Sequence, residues 1–141
     1  MLVRLITRTI SGTHEFWYRM TGGLVGGSLG RLPILLLTTT GRKTGKKRTT
    51  PLVYLPDGDN MVIIASNGGS DHHPEWWLNL RANPNAEVQF GPDVKSIIAE
   101  QAQGAERARL WREVNELYAG YDGYQRSTER EIPVVVLRPE R

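Results

Sequence analysis

From Pro33 onward the apolar positions fall into short blocks divided by turn residues. "PILLLTTT", "TTPLVYLP" and "MVIIAS" are rich in aliphatic, β-branched and aromatic residues, a strand composition, and "DGDN" ahead of the third block is a hairpin signal. "HPEWWLNLRANP" predicts a short helix: Pro74 suits the first helical position, where its missing N–H costs nothing, and Asn83-Pro84 ends the element. "AEVQF" and "VKSIIAEQ" read as two more strands across the turn "GPD". "AERARLWREVNELYA" has apolar residues at 110, 111, 114, 117 and 118, one stripe of a helix of about four turns. A tyrosine- and glycine-rich link, "GYDGYQRSTER", leads to a last strand, "PVVVL".

The first thirty residues have a different texture. "MLVRLITRTI" sets Leu2, Leu5, Ile6 and Thr9 near one helical face and Arg4 and Arg8 on another, and "EFWYRM" adds three adjacent aromatics. This predicts an amphipathic helix, packed on the core or resting its apolar side on a membrane surface as a peripheral contact. "TGGLVGGSLGRLP", with five glycines between Gly22 and Gly30, reads as loop or hinge. The expected organisation is therefore residues 1–30 as helix and glycine-rich link, and residues 31–141 as one folded domain. The order of elements and the short links favour antiparallel neighbours. An α+β fold follows, a small antiparallel β-barrel or strongly curved sheet with flanking helices, in preference to a doubly wound parallel sheet.

Composition narrows the chemistry. A chain of 141 residues, 39% apolar and 23% charged, is long enough for one domain with a real core. Without cysteine there is no disulfide, zinc-thiolate site, iron-sulfur cluster or thiol nucleophile, and a cytoplasmic location is the easier expectation. No apolar run reaches the ~18 residues of a membrane span, and Arg4 and Arg8 interrupt what would be a signal-peptide core. The net charge of +3 conceals a gradient: residues 1–56 hold nine Lys/Arg against Glu15 alone, whereas residues 57–141 hold nine against fourteen acids. Such a gradient points to an anionic partner for one face: a nucleic acid, a membrane or an acidic small molecule.

The basic centre is "TTTGRKTGKKRTT", with Arg42, Lys43, Lys46, Lys47 and Arg48 between two strands. Phosphate-loop patterns fail here. "GRKTGKK" has three residues between its glycines and Lys47 where the Walker pattern needs Ser or Thr, and GxGxxG is absent. What remains is a turn containing Gly41 and Gly45, flanked by hydroxyls at Thr38, Thr39, Thr40, Thr44, Thr49 and Thr50. Backbone N–H groups, hydroxyls and guanidinium forks are the donors that phosphate and carboxylate oxygens take. Charge-assisted hydrogen bonds contribute about 1.5–3 kcal/mol each, so three or four of them anchor a ligand by an anionic tail and leave a neutral ring to be placed elsewhere. His72 and His73 are adjacent, a poor arrangement for sharing one metal ion.

"TTTGRKTGKKRTTPL", "IIASNGG", "PEWWLNLRANP" and "LYAGYDGYQ" before "REIPVVVL", occurring in that order, resemble the deazaflavin-dependent nitroreductase family, whose members use reduced coenzyme F420. The resemblance covers residues 31 to 138 and implies a split β-barrel holding an 8-hydroxy-5-deazaflavin across its sheet, with residues 31–141 as the deazaflavin-binding domain. It implies an F420-dependent oxidoreductase passing a hydride to a quinone, a nitroaromatic or another electron-poor acceptor. It places Arg42, Lys43, Thr44 and Arg48 on the cofactor's phosphate and oligoglutamate tail, and Thr49, Thr50, Pro51, Leu52 and Val53 along its groove. Ile64, Ala65, Ser66 and Asn67 fall where the family meets the deazaflavin, as do Glu75, Trp76, Trp77, Leu78 and Asn79 of the short helix. Tyr121 matches a position near the ring, and Tyr118, Tyr124, Ser66 and Trp76 are candidates for the acceptor pocket. Some members carry lysine where this chain has Asn67.

Read without the family, the same residues leave more open. Tyr118, Tyr121 and Tyr124 recur every three positions, which suits core or lid packing, or rings that stack on a flat ligand with a phenol donating to an oxygen that gains charge. Trp76 and Trp77 point about 100° apart on a helix, so at most one of them faces a ligand, and the other is expected in the core. Two alternatives stand beside the reductase: a split barrel using FMN or heme, and a non-enzymatic nucleic-acid-binding barrel on the same basic loop. The acidic second half disfavours a continuous basic groove, so no nucleic-acid partner is expected.

Overall fold

The computed structural model describes residues 32–140. The expected N-terminal helix, its glycine-rich link and its membrane contact lie outside the described residues. Seven strands form one antiparallel sheet: β1 (Ile34–Thr40), β2 (Lys47–Val53), β3 (Leu55–Asp57), β4 (Asn60–Ile64), β5 (Asn85–Phe90), β6 (Asp93–Gln101) and β7 (Val134–Pro139). Their order is β2-β1-β5-β6-β7-β4-β3. Three helices flank the sheet: α1 (Glu75–Ala82), α2 (Gly104–Leu117) and α3 (Gly120–Arg126). The result is the expected α+β fold, with the sheet curled into a split half-barrel.

Two features differ from the sequence reading. The block "TTPLVYLP" is two strands interrupted at Tyr54, because β2 lies at one edge of the sheet and β3 at the other. One residue joins opposite edges only if the sheet curls back on itself. Tyr54 N–H donates to Pro33 O at 3.1 Å, the next step of the β1–β2 register beyond Ile34↔Val53. The second difference is the segment read as a link, "GYDGYQRSTER", whose first seven residues form α3. Gly120 and Gly123 suggest a bend, and they instead fit inside a helical turn: a Cβ at Gly120 would collide with the Tyr118 ring.

Alternation along the strands separates two apolar clusters. Leu35, Leu37, Met61, Ile63, Val88, Ile97, Val135 and Leu137 pack against Trp76, Trp77 and Leu80 of α1. Val62, Ile64, Val134 and Val136 turn the other way, against Leu110 and Val114 of α2. The neighbouring strands β4 and β7 are thus buried on both faces, which is why "MVII" and "VVVL" are unbroken apolar runs. Asp57 on the β3–β4 hairpin accepts from Arg109 of α2 at 3.1 and 3.0 Å, and these hydrogen bonds hold its carboxyl below the usual carboxylate range. Among the described residues no helix is long and apolar enough to cross a membrane.

Candidate functional site

Strand pairing ends at Thr40↔Lys47, so residues 41–46 form the β1–β2 loop. The loop is tied to itself: Gly41 N–H donates to Lys46 O at 2.7 Å and Gly45 N–H to Gly41 O at 2.8 Å. Gly45 sits at φ 74, where a side chain would be strained. Thr44 Oγ1 accepts from Lys46 N–H at 3.2 Å, and Lys47 Nζ donates to Thr40 Oγ1 at 3.1 Å. Several of the threonines therefore shape the loop from which the cations project.

A second set of bonds fixes the loop to α1. Asn79 is 4% exposed. Its Oδ1 accepts from Arg42 N–H at 3.1 Å and Arg42 Nη1 at 3.0 Å, and its Nδ2 donates to the buried Thr39 Oγ1 at 3.3 Å. Arg42 Nη1 also lies 2.7 Å from Glu75 Oε2, a hydrogen bond that holds the Glu75 carboxyl below its ordinary range. Arg42 is thus engaged within the protein, whereas Lys43, Lys46, Lys47 and Arg48 form no ion pair with any described residue. Asn79→Ala is expected to lower unfolding stability by about 2 kcal/mol, since it leaves the Arg42 N–H and the Thr39 hydroxyl without their partner. Urea unfolding checks this, and an unchanged midpoint would show that Asn79 is no strut.

Between loop and helix is a cleft of about 390 Å³. The loop side contributes Arg42, Lys43, Thr44, Arg48, Thr49 and Thr50; the helix side contributes Glu75, Trp76 and Asn79. Expected tail-binding residues are therefore gathered around one space. Strand register divides the run that follows. Arg48, Thr50 and Leu52 pair with Thr39, Leu37 and Leu35 on one face, while Thr49, Pro51 and Val53 pair with Thr38, Leu36 and Ile34 on the other, where Pro51 is buried. Trp76 lines the cleft from a position 8% exposed, and Trp77, at 4%, belongs to the core. Leu78 is half-buried. Ile64 and Ala65 are buried in separate apolar clusters.

The tyrosines form a second group. Tyr118 and Tyr121 meet edge-to-face with centroids 5.3 Å apart, Tyr121 and Tyr124 likewise at 6.1 Å, and the Tyr118 and Tyr124 hydroxyls are 3.2 Å apart. Burial pushes the Tyr121 phenol well above its ordinary range. Burial and the hydrogen bond with Tyr118 push Tyr124 up to about 12. Both phenols therefore stay protonated, and able to donate, at any physiological pH.

The segment that carries Ser66 is held by a residue that sequence reasoning missed. Arg130 donates to the carbonyls of Ala65 (3.2 Å), Ser66 (2.8 Å) and Ser70 (2.8 Å), and its Nη1 lies 3.1 Å from His73 Nδ1. Nothing local marks it: Arg130 lies in a polar link, and its partners are some sixty positions earlier. Asn67 holds the same segment by donating from Nδ2 to His72 O at 3.1 Å. A larger depression of about 490 Å³ beside this link is lined by Asp71, Arg126, Ser127, Thr128, Glu129 and Arg130. It has no apolar side chain on which a flat ring could rest.

Comparison with known proteins bears on what this arrangement serves. The family described as F420H(2)-dependent quinone reductase matches residues 11–139. An F420H(2)-dependent quinone reductase of Mycobacterium tuberculosis strain H37Rv is 47% identical over 128 residues, covering 88% of this chain and 86% of that protein. A solved structure of an F420-H2 dependent reductase superimposes with a TM-score of 0.70 at 41% identity, covering 75% of this chain and 94% of the other. A heme binding protein from Mycobacterium smegmatis, 20% identical with a TM-score of 0.62 over 79% of this chain and 48% of its own, shares the fold alone.

Proposed function

The chain belongs to the F420H(2)-dependent quinone reductase family, and on that premise we propose that it is an oxidoreductase that reduces quinones with coenzyme F420 held in the cleft between the β1–β2 loop and α1. The observation that carries this reading is the donor set of that cleft: Lys43 and Arg48, in no ion pair with a described residue, the hydroxyls of Thr44, Thr49 and Thr50, and the Trp76 ring. That set fits a phosphate and carboxylate tail joined to a flat ring system. When bound, reduced F420 supplies the hydride, and the quinone takes up that hydride and one proton from water to leave as hydroquinone.

The protein's own part is binding, orientation and charge stabilisation. Lys43 and Arg48 hold the anionic tail, and Arg42 joins them only by exchanging Glu75 for the ligand. Tyr124, Tyr118 and Tyr121 line the acceptor side as protonated phenols, and Tyr124 or Tyr118 donates to the quinone oxygen as it gains negative charge. Ser66 is 8% exposed and its hydroxyl is not engaged by any described residue, so it is a further donor. No side chain acts as nucleophile. A nitroaromatic presents the same demand, an oxygen that gains charge, and is a second acceptor class.

The readings with FMN, heme or nucleic acid are not favoured by relatives named for F420H2. Anaerobic mixing with reduced F420 and a panel of quinones and nitro compounds, followed by absorbance, tests the proposal. Quinone-dependent oxidation of the deazaflavin, absent when reduced FMN replaces it, is the expected result. No oxidation with any acceptor would refute it.

A further inference from the structure

Three backbone carbonyls converge on one guanidinium. After β4 the chain runs through Asn67, Gly68 and Gly69 at φ 45, 65 and 85, three successive left-handed residues that only Gly and Asn adopt readily. The arch aims the carbonyls of Ala65, Ser66 and Ser70 at a common point, where their dipoles repel unless a cation lies between them. Arg130 is that cation: Nε donates to Ser70 O, Nη2 to Ser66 O and Nη1 to Ala65 O. A guanidinium has no acceptor, so His73 Nδ1 must accept from Nη1, which makes the ring neutral with its proton on Nε2. Burial and the Arg130 charge lower the His73 pKa, in keeping with that form.

His73 immediately precedes Pro74, the cap of α1. One planar fork therefore joins the end of β4, the arch carrying Ser66 and the start of the helix carrying Trp76. The neighbouring link adds Ser127 Oγ to Gly69 O at 2.9 Å and Thr128 Oγ1 to Asp71 Oδ1 at 2.8 Å. A Cβ at Gly69 would run into Ser127 Oγ, so arch and link are in close contact.

We propose that Arg130 is a positioning residue for hydride transfer, acting through Ser66 and the start of α1, with no contact of its own to the cations of the tail-binding loop. This role rests on the reading that deazaflavin and quinone meet beside Ser66. Lysine cannot replace it: a single ammonium does not span three carbonyls and a ring nitrogen lying around one plane.

The test compares Arg130→Lys with the native chain. In cofactor-free protein, amide exchange at Gly69 and Ser70, whose N–H groups donate to Ser66 O and Asn67 O, should accelerate roughly tenfold or more while the β4 and β7 amides stay protected. With cofactor, the Kd for F420 stays within about threefold because Lys43 and Arg48, which hold the tail, are unchanged and Arg130 does not line their cleft, and kcat falls roughly 10- to 100-fold. Millimolar guanidinium restores part of kcat to Arg130→Ala and none to Tyr124→Phe. Where the lysine variant fails to fold, His73→Ala, which keeps the three carbonyl bonds, gives a fall in kcat of roughly threefold at unchanged Kd. Unchanged kcat in either variant overturns the proposal. So does a joint loss of Kd, kcat and unfolding midpoint without guanidinium rescue, the signature of a structural brace. A native chain that neither binds F420 nor reduces a quinone sinks the functional reading and this role with it, while accelerated exchange at Gly69 and Ser70 would still report the clamp.

Discussion

Alanine at Arg48 weakens binding of coenzyme F420 by roughly 10- to 100-fold, the factor expected when one or two charge-assisted hydrogen bonds are lost, while the unfolding midpoint stays close to that of the native chain. Arg48 makes the sharper test because it is exposed at the mouth of β2, forms no ion pair with a described residue and lines the cleft. Arg42 is a blunter probe: removing its side chain also frees Glu75 and takes the Nη1 donor from Asn79, so loop shape and ligand contact change together. Quenching of tryptophan fluorescence provides the titration, with Trp76 beside the cleft. Native affinity should fall with added salt, and the slope should be shallower in Arg48→Ala. Equal affinities at low salt would contradict the assignment of the loop.

Tyr124→Phe should lower kcat at saturating cofactor about 10- to 100-fold and leave the cofactor Kd nearly unchanged. Loss of one donor to a developing oxyanion has this order of effect, and the phenol is far in sequence from the charged loop. A Kd that rises while kcat holds would place Tyr124 on the cofactor and remove it from the acceptor. The pH dependence has a definite sign. Burial raises Tyr124 to about 12, so its phenol still donates at pH 10, where an unperturbed tyrosine is half ionised. The rate therefore shows no alkaline fall from this group below about pH 11. Between pH 10 and about 12 the unfolded chain has released the proton that the folded chain keeps, so stability declines across that interval. Tyr124→Phe flattens part of the decline, which urea unfolding at a series of alkaline pH values would measure.

The strands and the two longer helices were legible because their signals are local: apolar blocks between turn residues for the sheet, and a stripe through Leu110 and Val114 for α2. Order within the sheet was not. That β2 and β3 lie at opposite edges is a property of the curled whole, so "TTPLVYLP" reads as one strand. Helix α3 was hidden because its glycines argue for a bend, and what calls for the first of them is the Tyr118 ring packed against Gly120. At the candidate site the charged loop announces itself through five cations in seven positions. The division of labour among those cations does not: only the geometry shows Arg42 held by Glu75 and Asn79 while Lys43 and Arg48 stay available. Arg130 was invisible for a similar reason, since a lone arginine in a polar stretch resembles any surface cation until distant carbonyls gather round it.

Tyr54 is a covalent stitch across the open side of the curl, with one outermost strand ending just before it and the other beginning just after. A residue spans at most about 3.6 Å, so at that end the two rims cannot part to widen the interior. Room for a bulky acceptor must then come from α1 and α3 shifting against a rigid sheet, and enzymes of this build should adapt to new substrates by altering helices and their links, with the strands held constant.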